Sequence, residues 1–332
     1  EKAAGKILYR GVFGTQKTGG WLANLFDFKL KNIANTGIIY WGDKLLALWE
    51  GGQPHSLNPQ NLETIGLNDL DGLLQPGQAF SAHPRIDKGK DGKGDVLVNF
   101  SVKPGLSSTI TIFEFNSQGK LLKRYSNSIP GFAFLHDMVI TPNYCIFFQN
   151  PVAFNPFPLL LGLRTPGQCL EFLPNNSTQV ILIPRDGSKA IKILKTKPCF
   201  VFHHANAWEK DGEIYVDSIC YESVSQTDLG DNFLEVDFDS MTEGKLWRFK
   251  INLSENNVEH KLLESRCCEF PTGVNEDDGW LLMLMYDAAE HRSDIVILDA
   301  RDLNKKPVAR LHLKHHIPYG LHGSFTPNYF QE

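Results

Sequence analysis

Short runs in which apolar and polar residues alternate occur along most of the chain, and turn residues such as Pro-Gly and Ser-Gln-Gly separate them. This pattern predicts β-strands. The first predicted pair, residues 38–41 and 44–50, flanks a tight turn at Gly42-Asp43. Further strands are predicted at residues 95–101, 108–115, 119–125, 178–184, 191–195, 213–220, 245–252, 280–286, 294–298 and 308–313. Only two short helices are predicted, at residues 20–25 and 155–163.

The composition is that of an ordinary globular protein, with 332 residues, of which 42% are hydrophobic and 21% are charged. The net charge is −5 and the charges are well mixed, so the chain lacks the basic surface by which proteins bind nucleic acid. No apolar run is long enough to span a bilayer, for which about 18 residues are needed. Six cysteines are scattered along the chain, namely Cys145, Cys169, Cys199, Cys220, Cys267 and Cys268. We expect all six to be reduced thiols in a cytoplasmic protein.

Four histidines stand out because each lies in its own conspicuous motif, at positions 83, 136, 203 and 322. Local zinc sites draw their ligands from closely spaced pairs, which is not the arrangement here. Four distant imidazoles suggest instead one metal ion at the centre of a fold built from repeated units. The remaining histidines are interpreted as packed or surface residues: His55, His204, His260, His291, His312, His315 and His316.

The spacing of the motif histidines helps to choose a fold. Many short strands at regular spacing are compatible with a sandwich, a barrel or a propeller. Successive motif histidines are 53, 67 and 119 residues apart, whereas a propeller blade takes about 40–50 residues. One ligand from each of several blades would meet the others on the central axis. The spacing therefore favours an all-β propeller, although no blade-by-blade sequence repeat is present.

The histidine motifs, taken in order, resemble those of the carotenoid cleavage oxygenases, and the likeness extends over nearly the whole chain. The motifs are Ala82-His83-Pro84, Leu135-His136-Asp137, Phe202-His203-x-x-Asn206-Ala207-Trp208-Glu209 and Gly320-Leu321-His322-Gly323. Each motif is weak alone, whereas all four in the same order with compatible spacings form a specific signature. The likeness is closest to the cyanobacterial carotenoid and apocarotenoid oxygenases.

This resemblance implies a single β-propeller domain over residues 1–332, with seven blades and a cap of loops and short helices over a substrate tunnel. It also implies a non-haem Fe(II) on the propeller axis, bound by His83, His136, His203 and His322 without a carboxylate. Imidazole suits Fe(II), and four neutral ligands preserve the charge of the ion and leave positions for O2. The alternative site of two histidines and one carboxylate needs a His-x-Asp or His-x-Glu motif. Asp137 directly follows His136, without the intervening residue of that motif.

The resemblance further implies glutamates that hydrogen-bond the ligating histidines. Glu50 matches the partner of His136, and Glu269 matches the partner of His203. A third glutamate has no match, because a segment of about one blade, about 40–60 residues, is expected to be missing near residues 272–275. The N-terminal part of the family's fold, about one to two blades, is also expected to be missing, so the chain is interpreted as partial.

Cleavage of a conjugated polyene requires a dry, flat, apolar slot beside the metal. By the resemblance, five residues are expected to bind substrate there: Phe13, Thr36, Trp49, Phe134 and Phe202. The methyl group of Thr36 is expected to crowd an open metal position. Packing in the protein core is the alternative role for all five.

Carotenoids reside in membranes, so we expect the entrance of the tunnel to contact one. Residues 154–163 form an apolar, proline-broken segment that is too short to span a bilayer but can enter its interface. The predicted contact residues are Phe157, Leu159, Leu160 and Leu161, and Trp21, Leu22, Leu25 and Phe26 can extend this patch. A buried helix in the cap is the alternative. The expectation is therefore peripheral membrane association.

The predicted function is cleavage of one C=C bond of a carotenoid or apocarotenoid by O2 at Fe(II), which gives two carbonyl products. One alternative is a stilbene-cleaving member of the same family, which would use a tyrosine and a lysine to activate a phenol. No such pair can be placed in this sequence. The other alternative is a propeller that binds carotenoids without turnover, because missing segments would break the site.

Overall fold

The structure is a computed structural model of the chain. It describes residues 5–6, 8–10, 16–27, 31–89, 94–187, 190–224, 242–264, 280–287, 289–299, 301–302, 305–317, 321–324, 326 and 328–330. The chain divides into two compact units, of which the first comprises Glu1–Cys267 with His322–Glu332 and the second comprises Cys268–Leu321. The single domain expected over residues 1–332 stays a prediction.

Strands dominate the described chain. In chain order the elements are β1 (Tyr9–Arg10), β2 (Gln16–Lys17), α1 (Gly20–Asn24), β3 (Gly37–Trp41), β4 (Lys44–Leu48), β5 (His55–Leu57), β6 (Thr64–Leu67), β7 (Arg85–Asp87), β8 (Val96–Lys103), β9 (Ser107–Phe115), β10 (Leu121–Pro130), β11 (Val139–Ile140), β12 (Tyr144–Gln149), β13 (Val152–Phe154), α2 (Pro156–Leu160), a 3-10 turn (Gly167–Cys169), β14 (Leu170–Phe172), β15 (Thr178–Pro184), β16 (Lys192–Thr196), β17 (Phe200–Lys210), β18 (Glu213–Tyr221), β19 (Lys245–Asn252), β20 (Asn257–Glu264), β21 (Trp280–Asp287), β22 (Arg292–Asp299) and β23 (Ala309–His312). The predicted predominance of strands over helices is confirmed.

Five sheets have the antiparallel, sequential strand order that is typical of propeller blades. The first unit contains β3-β4-β5-β6, β7-β8-β9-β10, β11-β12-β15-β16 and β17-β18-β19-β20, and the second unit contains β21-β22-β23. The small pairs β1-β2 and β13-β14 lie outside this pattern. The described part of the chain therefore has five blade-like sheets, against the seven blades that the resemblance implies.

Face-to-face packing of neighbouring sheets explains the hydrophobic pattern. One buried cluster joins the second sheet to the third and includes Phe100, Ile112, Phe147 and Ile181, each at most 1% exposed. Strands covered on both faces are continuous apolar runs. Strand β10, at the edge of the second sheet, instead has mostly exposed residues.

Every strand predicted from the sequence is present, with ends that differ by a few residues. The sequence pattern missed β17, which carries His203. This strand contains register shifts between Val201 and His204 and between His204 and Asn206, so its residues do not alternate with a period of two. The longer strands β12 and β20 were also missed. Strands of two to four residues give no recognisable period, and eight such strands were missed as well: β1, β2, β5, β6, β7, β11, β13 and β14.

The motif histidines lie at the beginnings of successive sheets. His83 is two residues before β7, His136 is three residues before β11, and His203 lies inside β17. Strand β11 contacts both β7 and β17. The order of the sheets thus brings three segments that are distant in sequence side by side.

Helices α1 and α2, both predicted, pack against each other. The N–H of Phe26 donates to the carbonyl of Leu160 at 2.9 Å. Gly162 has a φ of 66°, and a Cβ there would lie 2.5 Å from the carbonyl oxygen of Trp21. Both the backbone conformation and the close approach therefore require glycine. Within the described residues, no helix combines the length and the apolar character needed to cross a bilayer.

Candidate metal centre

Four imidazoles converge in the first unit. His83, His136, His203 and His322 each offer one ring nitrogen, and these four atoms lie within 4.8 Å of one another. The Nε2 atoms of His83 and His136 are 2.9 Å apart. Among the residues that the structure describes, this is the one group of three or more histidine, cysteine or acidic side chains with such a geometry.

Backbone geometry directs His203 and His322 to this cluster. The register shifts on either side of His204 interrupt the alternation of β17. The ring of His203 lies 5.0 Å from that of His83 between centroids, whereas His204 is buried and bonds Ser218 Oγ through Nδ1 at 2.8 Å. The N–H of His322 donates to the carbonyl of Thr36 at 3.0 Å, which ties it to the segment before β3.

Burial keeps two of the imidazoles neutral. Burial, opposed by Asp137 but reinforced by the neighbouring imidazoles, lowers the pKa of His83 to about 2. Burial and the nearby His136 lower the pKa of His203 to about 3. His203 Nε2 is buried and has no hydrogen-bond partner among the described residues. A neutral imidazole with an available lone pair is the form that binds a metal cation.

Glu50, which lies two residues after β4, holds the ring of His136. The Nδ1–H of His136 donates to Glu50 Oε1 at 3.0 Å. Burial alone would raise the pKa of Glu50, but the hydrogen bond and the charge of His136 hold that pKa below its usual value. Burial alone would lower the pKa of His136, but the hydrogen bond and the charge of Glu50 outweigh burial and raise this pKa. A carboxylate on Nδ1 fixes the tautomer and directs Nε2 toward a metal.

The cluster fits a single metal ion. Metal–imidazole bonds of about 2.0–2.1 Å place neighbouring nitrogens about 3 Å apart in an octahedral arrangement. The separation between His83 and His136 is 2.9 Å, which matches this value. Imidazole is a donor for Fe, Zn, Cu and Ni alike, so the four histidines form a site for a metal ion without selecting among these elements.

An aromatic cluster adjoins His136. The ring of Phe202 lies 5.4 Å from that of His136, and the rings of Phe202 and Phe134 lie 6.5 Å apart. Five further aromatic residues pack in the same cluster, namely Phe132, Phe154, Phe172, Phe200 and Tyr221. The sequence analysis missed these five, because strands β13, β14, β17 and β18 must first assemble before their residues share a surface.

The other predicted substrate residues have separate surroundings. Thr36 is 5% exposed and contacts His322 through its carbonyl. Trp49, which is partly buried, directly precedes Glu50 and pairs with Phe80 as an isolated β-bridge. Phe13 and Glu269 lie outside the described residues.

The packed helices α1 and α2 display apolar side chains to solvent. The exposed fractions are 51% for Trp21, 69% for Leu22, 67% for Phe26, 70% for Phe157 and 45% for Leu161. These five residues are called the cap patch. The predicted membrane residues Leu159 and Leu160 are half-buried instead.

Comparisons with known proteins give a consistent result. The family profile described as retinal pigment epithelial membrane protein matches residues 1–275 and 272–327. Apocarotenoid-15,15'-oxygenase of Synechocystis sp. (strain ATCC 27184 / PCC 6803 / Kazusa) is 48% identical over 389 aligned positions, which cover 98% of this chain and 79% of that protein. Carotenoid 9,10(9',10')-cleavage dioxygenase 1 of Pisum sativum is 24% identical, over 90% of this chain and 68% of the relative.

The fold has a solved counterpart. The crystal structure of cobalt-substituted Synechocystis ACO matches with a TM-score of 0.90 and 47% identity, over 98% of this chain and 81% of that chain. This similarity confirms the all-β propeller fold. The 389 positions aligned with the oxygenase exceed the 332 residues here, so that relative has positions without a counterpart. The two family matches overlap at residues 272–275, and the missing segment expected near these residues stays a prediction.

Proposed function

Because this chain belongs to the retinal pigment epithelial membrane protein family, we propose that it is a non-haem Fe(II) dioxygenase. Its substrate is a carotenoid or an apocarotenoid, in which one C=C bond is replaced by two C=O bonds. Both oxygen atoms come from O2, so the reaction balances without a reductant. The observation that carries the proposal is the convergence of four imidazole nitrogens within 4.8 Å.

The ligands in this proposal are His83, His136, His203 and His322. Bound iron would supply the activation of O2, which the side chains here cannot do alone. Glu50 accepts the Nδ1 proton of His136 and so keeps Nε2 free for the metal. Glu269 is proposed to serve His203 in the same way, by its match to the family motif.

The proposed substrate slot is apolar. Phe202, Phe134 and the aromatic residues packed with them bind the polyene and exclude water, which suits a long conjugated hydrocarbon. Phe13, Thr36 and Trp49 are proposed as further substrate-binding residues by motif. The name of the Synechocystis relative, which is 48% identical, supports an apocarotenoid as the first substrate to test.

Peripheral membrane association is part of the proposal. A carotenoid must leave a membrane to enter an apolar slot, and the cap patch is an exposed apolar surface of the kind that enters a bilayer interface. Phe157 and Leu161 are its proposed central residues, with Leu159 and Leu160 behind them.

The deciding experiment is anaerobic loading of the protein with Fe(II), followed by addition of O2 and an apocarotenal. We expect bleaching of the polyene absorption and two carbonyl products by mass spectrometry. His136→Ala removes a ligand and should abolish bleaching, whereas His260→Ala, at an exposed histidine of β20, should leave it intact. Bleaching by the His136→Ala protein at the wild-type rate would refute the iron site.

Two further measurements in that experiment separate the alternatives. Cleavage of a hydroxylated stilbene in preference to the apocarotenal would identify a stilbene-cleaving enzyme. Tight binding of the apocarotenal by the Fe(II)-loaded protein, without loss of colour in O2, would identify a carotenoid-binding propeller without turnover.

A further inference from the structure

An ion pair between the partly exposed Arg85 and the buried Asp137 joins the segments that carry three of the four clustered histidines. Arg85 lies two residues after His83, and Asp137 directly follows His136. Arg85 Nη2 donates to Asp137 Oδ2 at 2.5 Å, and the carboxylate side chain is only 1% exposed. The pair thus bridges the start of β7 to the segment before β11.

Both side chains of this pair also bind backbone groups. Asp137 accepts the N–H of His204 at 2.9 Å and the N–H of Met138 at 2.7 Å. Arg85 donates to the carbonyl of His204 at 2.9 Å and to the carbonyl of Met138 at 2.7 Å. Together, the side chains of Arg85 and Asp137 therefore bind the backbone N–H and C=O groups of both Met138 and His204.

The position of His204 makes these bonds significant. His204 directly follows His203, and β17 has a register shift on each side of it. Strand β17 is also at the edge of its sheet. A bulged edge segment lacks the regular ladder that would fix its backbone. Here the N–H and C=O of His204 are bound by Asp137 and Arg85 from the neighbouring sheets.

We propose that Arg85 and Asp137 are positioning residues for the metal centre, which set the spacing of the segments that carry His83, His136 and His203. This inference rests on the proposed function, since it presupposes that the histidines bind a metal ion. The pair does so without adding net charge beside the cation, because the guanidinium balances the carboxylate. Loss of the pair lets the His203 segment move relative to His83 and His136, which weakens metal binding and distorts its geometry.

The chain contains a matched control. Arg185 Nε donates to Glu114 Oε1 at 3.1 Å, and the two side chains are 9% and 5% exposed. Arg185 also bonds Asp87 and the carbonyl of Thr141. None of these described bonds reaches a clustered histidine or His204. This second pair is therefore a buried ion pair between sheets whose described bonds do not reach the segment that carries His203.

The test compares Asp137→Asn with Glu114→Gln. The asparagine keeps the size of Asp137 but has no charge and only one acceptor oxygen, so it cannot accept from Met138 and from the His204–Arg85 side at the same time. Metal-free proteins are titrated with Co(II), and the dissociation constant and the visible d–d absorption bands are recorded together with the melting temperature. We expect about 10- to 100-fold weaker Co(II) binding and shifted bands for Asp137→Asn. Glu114→Gln should keep the wild-type affinity and bands, even where its melting temperature falls.

Arg85→Lys serves as the second variant, with Arg185→Lys as its control. Lysine keeps the charge but replaces the planar guanidinium with a single nitrogen, so we expect the same weakening of Co(II) binding. This variant tests the proposal even if Asp137→Asn does not fold. Unchanged Co(II) affinity and bands in a folded Arg85→Lys or Asp137→Asn protein would overturn the positioning role alone. Failure of the wild-type protein to bind Co(II) would overturn the proposed function and the positioning role together.

Discussion

The indole ring of Trp49 lies directly against the backbone of Gly51. A Cβ on residue 51 would be 2.6 Å from two ring carbons of Trp49, a distance at which one of them must move. Glu50, whose carboxylate accepts the proton of His136, lies between these two residues. The indole ring of Trp49 can take this position beside Glu50 because residue 51 has no side chain.

Gly51→Ala is expected to lower catalytic efficiency. The added methyl group must displace the indole, and such overpacking costs about 1–3 kcal/mol, here in stability, in transition-state binding or in both. Steady-state bleaching of an apocarotenal and thermal unfolding measure the two effects. Gly94→Ala is the control, because its new Cβ would meet Ser117 Oγ at an ordinary 3.5 Å. Wild-type kinetics and stability for Gly51→Ala would contradict the close contact.

Glu50→Gln is expected to weaken metal binding. The amide keeps the shape of the side chain but removes the charge that favours the Nδ1–H tautomer of His136. Loss of such a partner typically costs about 10- to 100-fold in metal affinity, which titration of metal-free protein with Fe(II) under anaerobic conditions measures. Glu63→Gln, at an exposed position before β6, provides the comparison. Equal affinities for the two variants would show that Glu50 does not assist the ligand.

The double variant Phe157→Asp and Leu161→Asp is expected to lose membrane binding. Each of these side chains contributes about 1.5–3 kcal/mol when it leaves water for an apolar environment, and a carboxylate opposes insertion. Flotation with liposomes measures the bound fraction. Leu106→Asp is the control, because Leu106 is fully exposed in the turn between β8 and β9, outside the cap patch. Persistent flotation of the double variant, or equal loss in the control, would contradict the role of the cap patch.

Cys145 is expected to resist alkylation in the folded protein. Its side chain is completely buried, and burial, opposed by Arg185, raises the pKa of its thiol to about 12. The thiolate is the reactive form, so iodoacetamide at pH 8 should label the Cys145 peptide only after unfolding in urea. Mass spectrometry of the digested protein measures this difference. Rapid labelling without urea would mean that the packing between the second and third sheets opens readily.

The strands were predictable because strand formation depends on local alternation and on turn residues. Residues 180–184 are an apolar run in the covered strand β15, and Gly42-Asp43 marks the turn between β3 and β4. The irregular strand β17 was not predictable, since its register shifts interrupt the alternation of apolar and polar residues. Among the residues that the structure describes there are five blade-like sheets, against the seven that the resemblance implies.

The sequence by itself determined the all-β class and, through four motifs, the histidines that the structure brings together. Tertiary structure decided the remainder: the bond from His136 to Glu50 at a defined distance, the hold of Arg85 and Asp137 on His204, and the membership of the aromatic cluster beside Phe202. The physical reason lies in the range of the interactions. Alternation along a strand is set by neighbours in sequence, whereas these contacts join segments from different sheets and exist only once the sheets have packed.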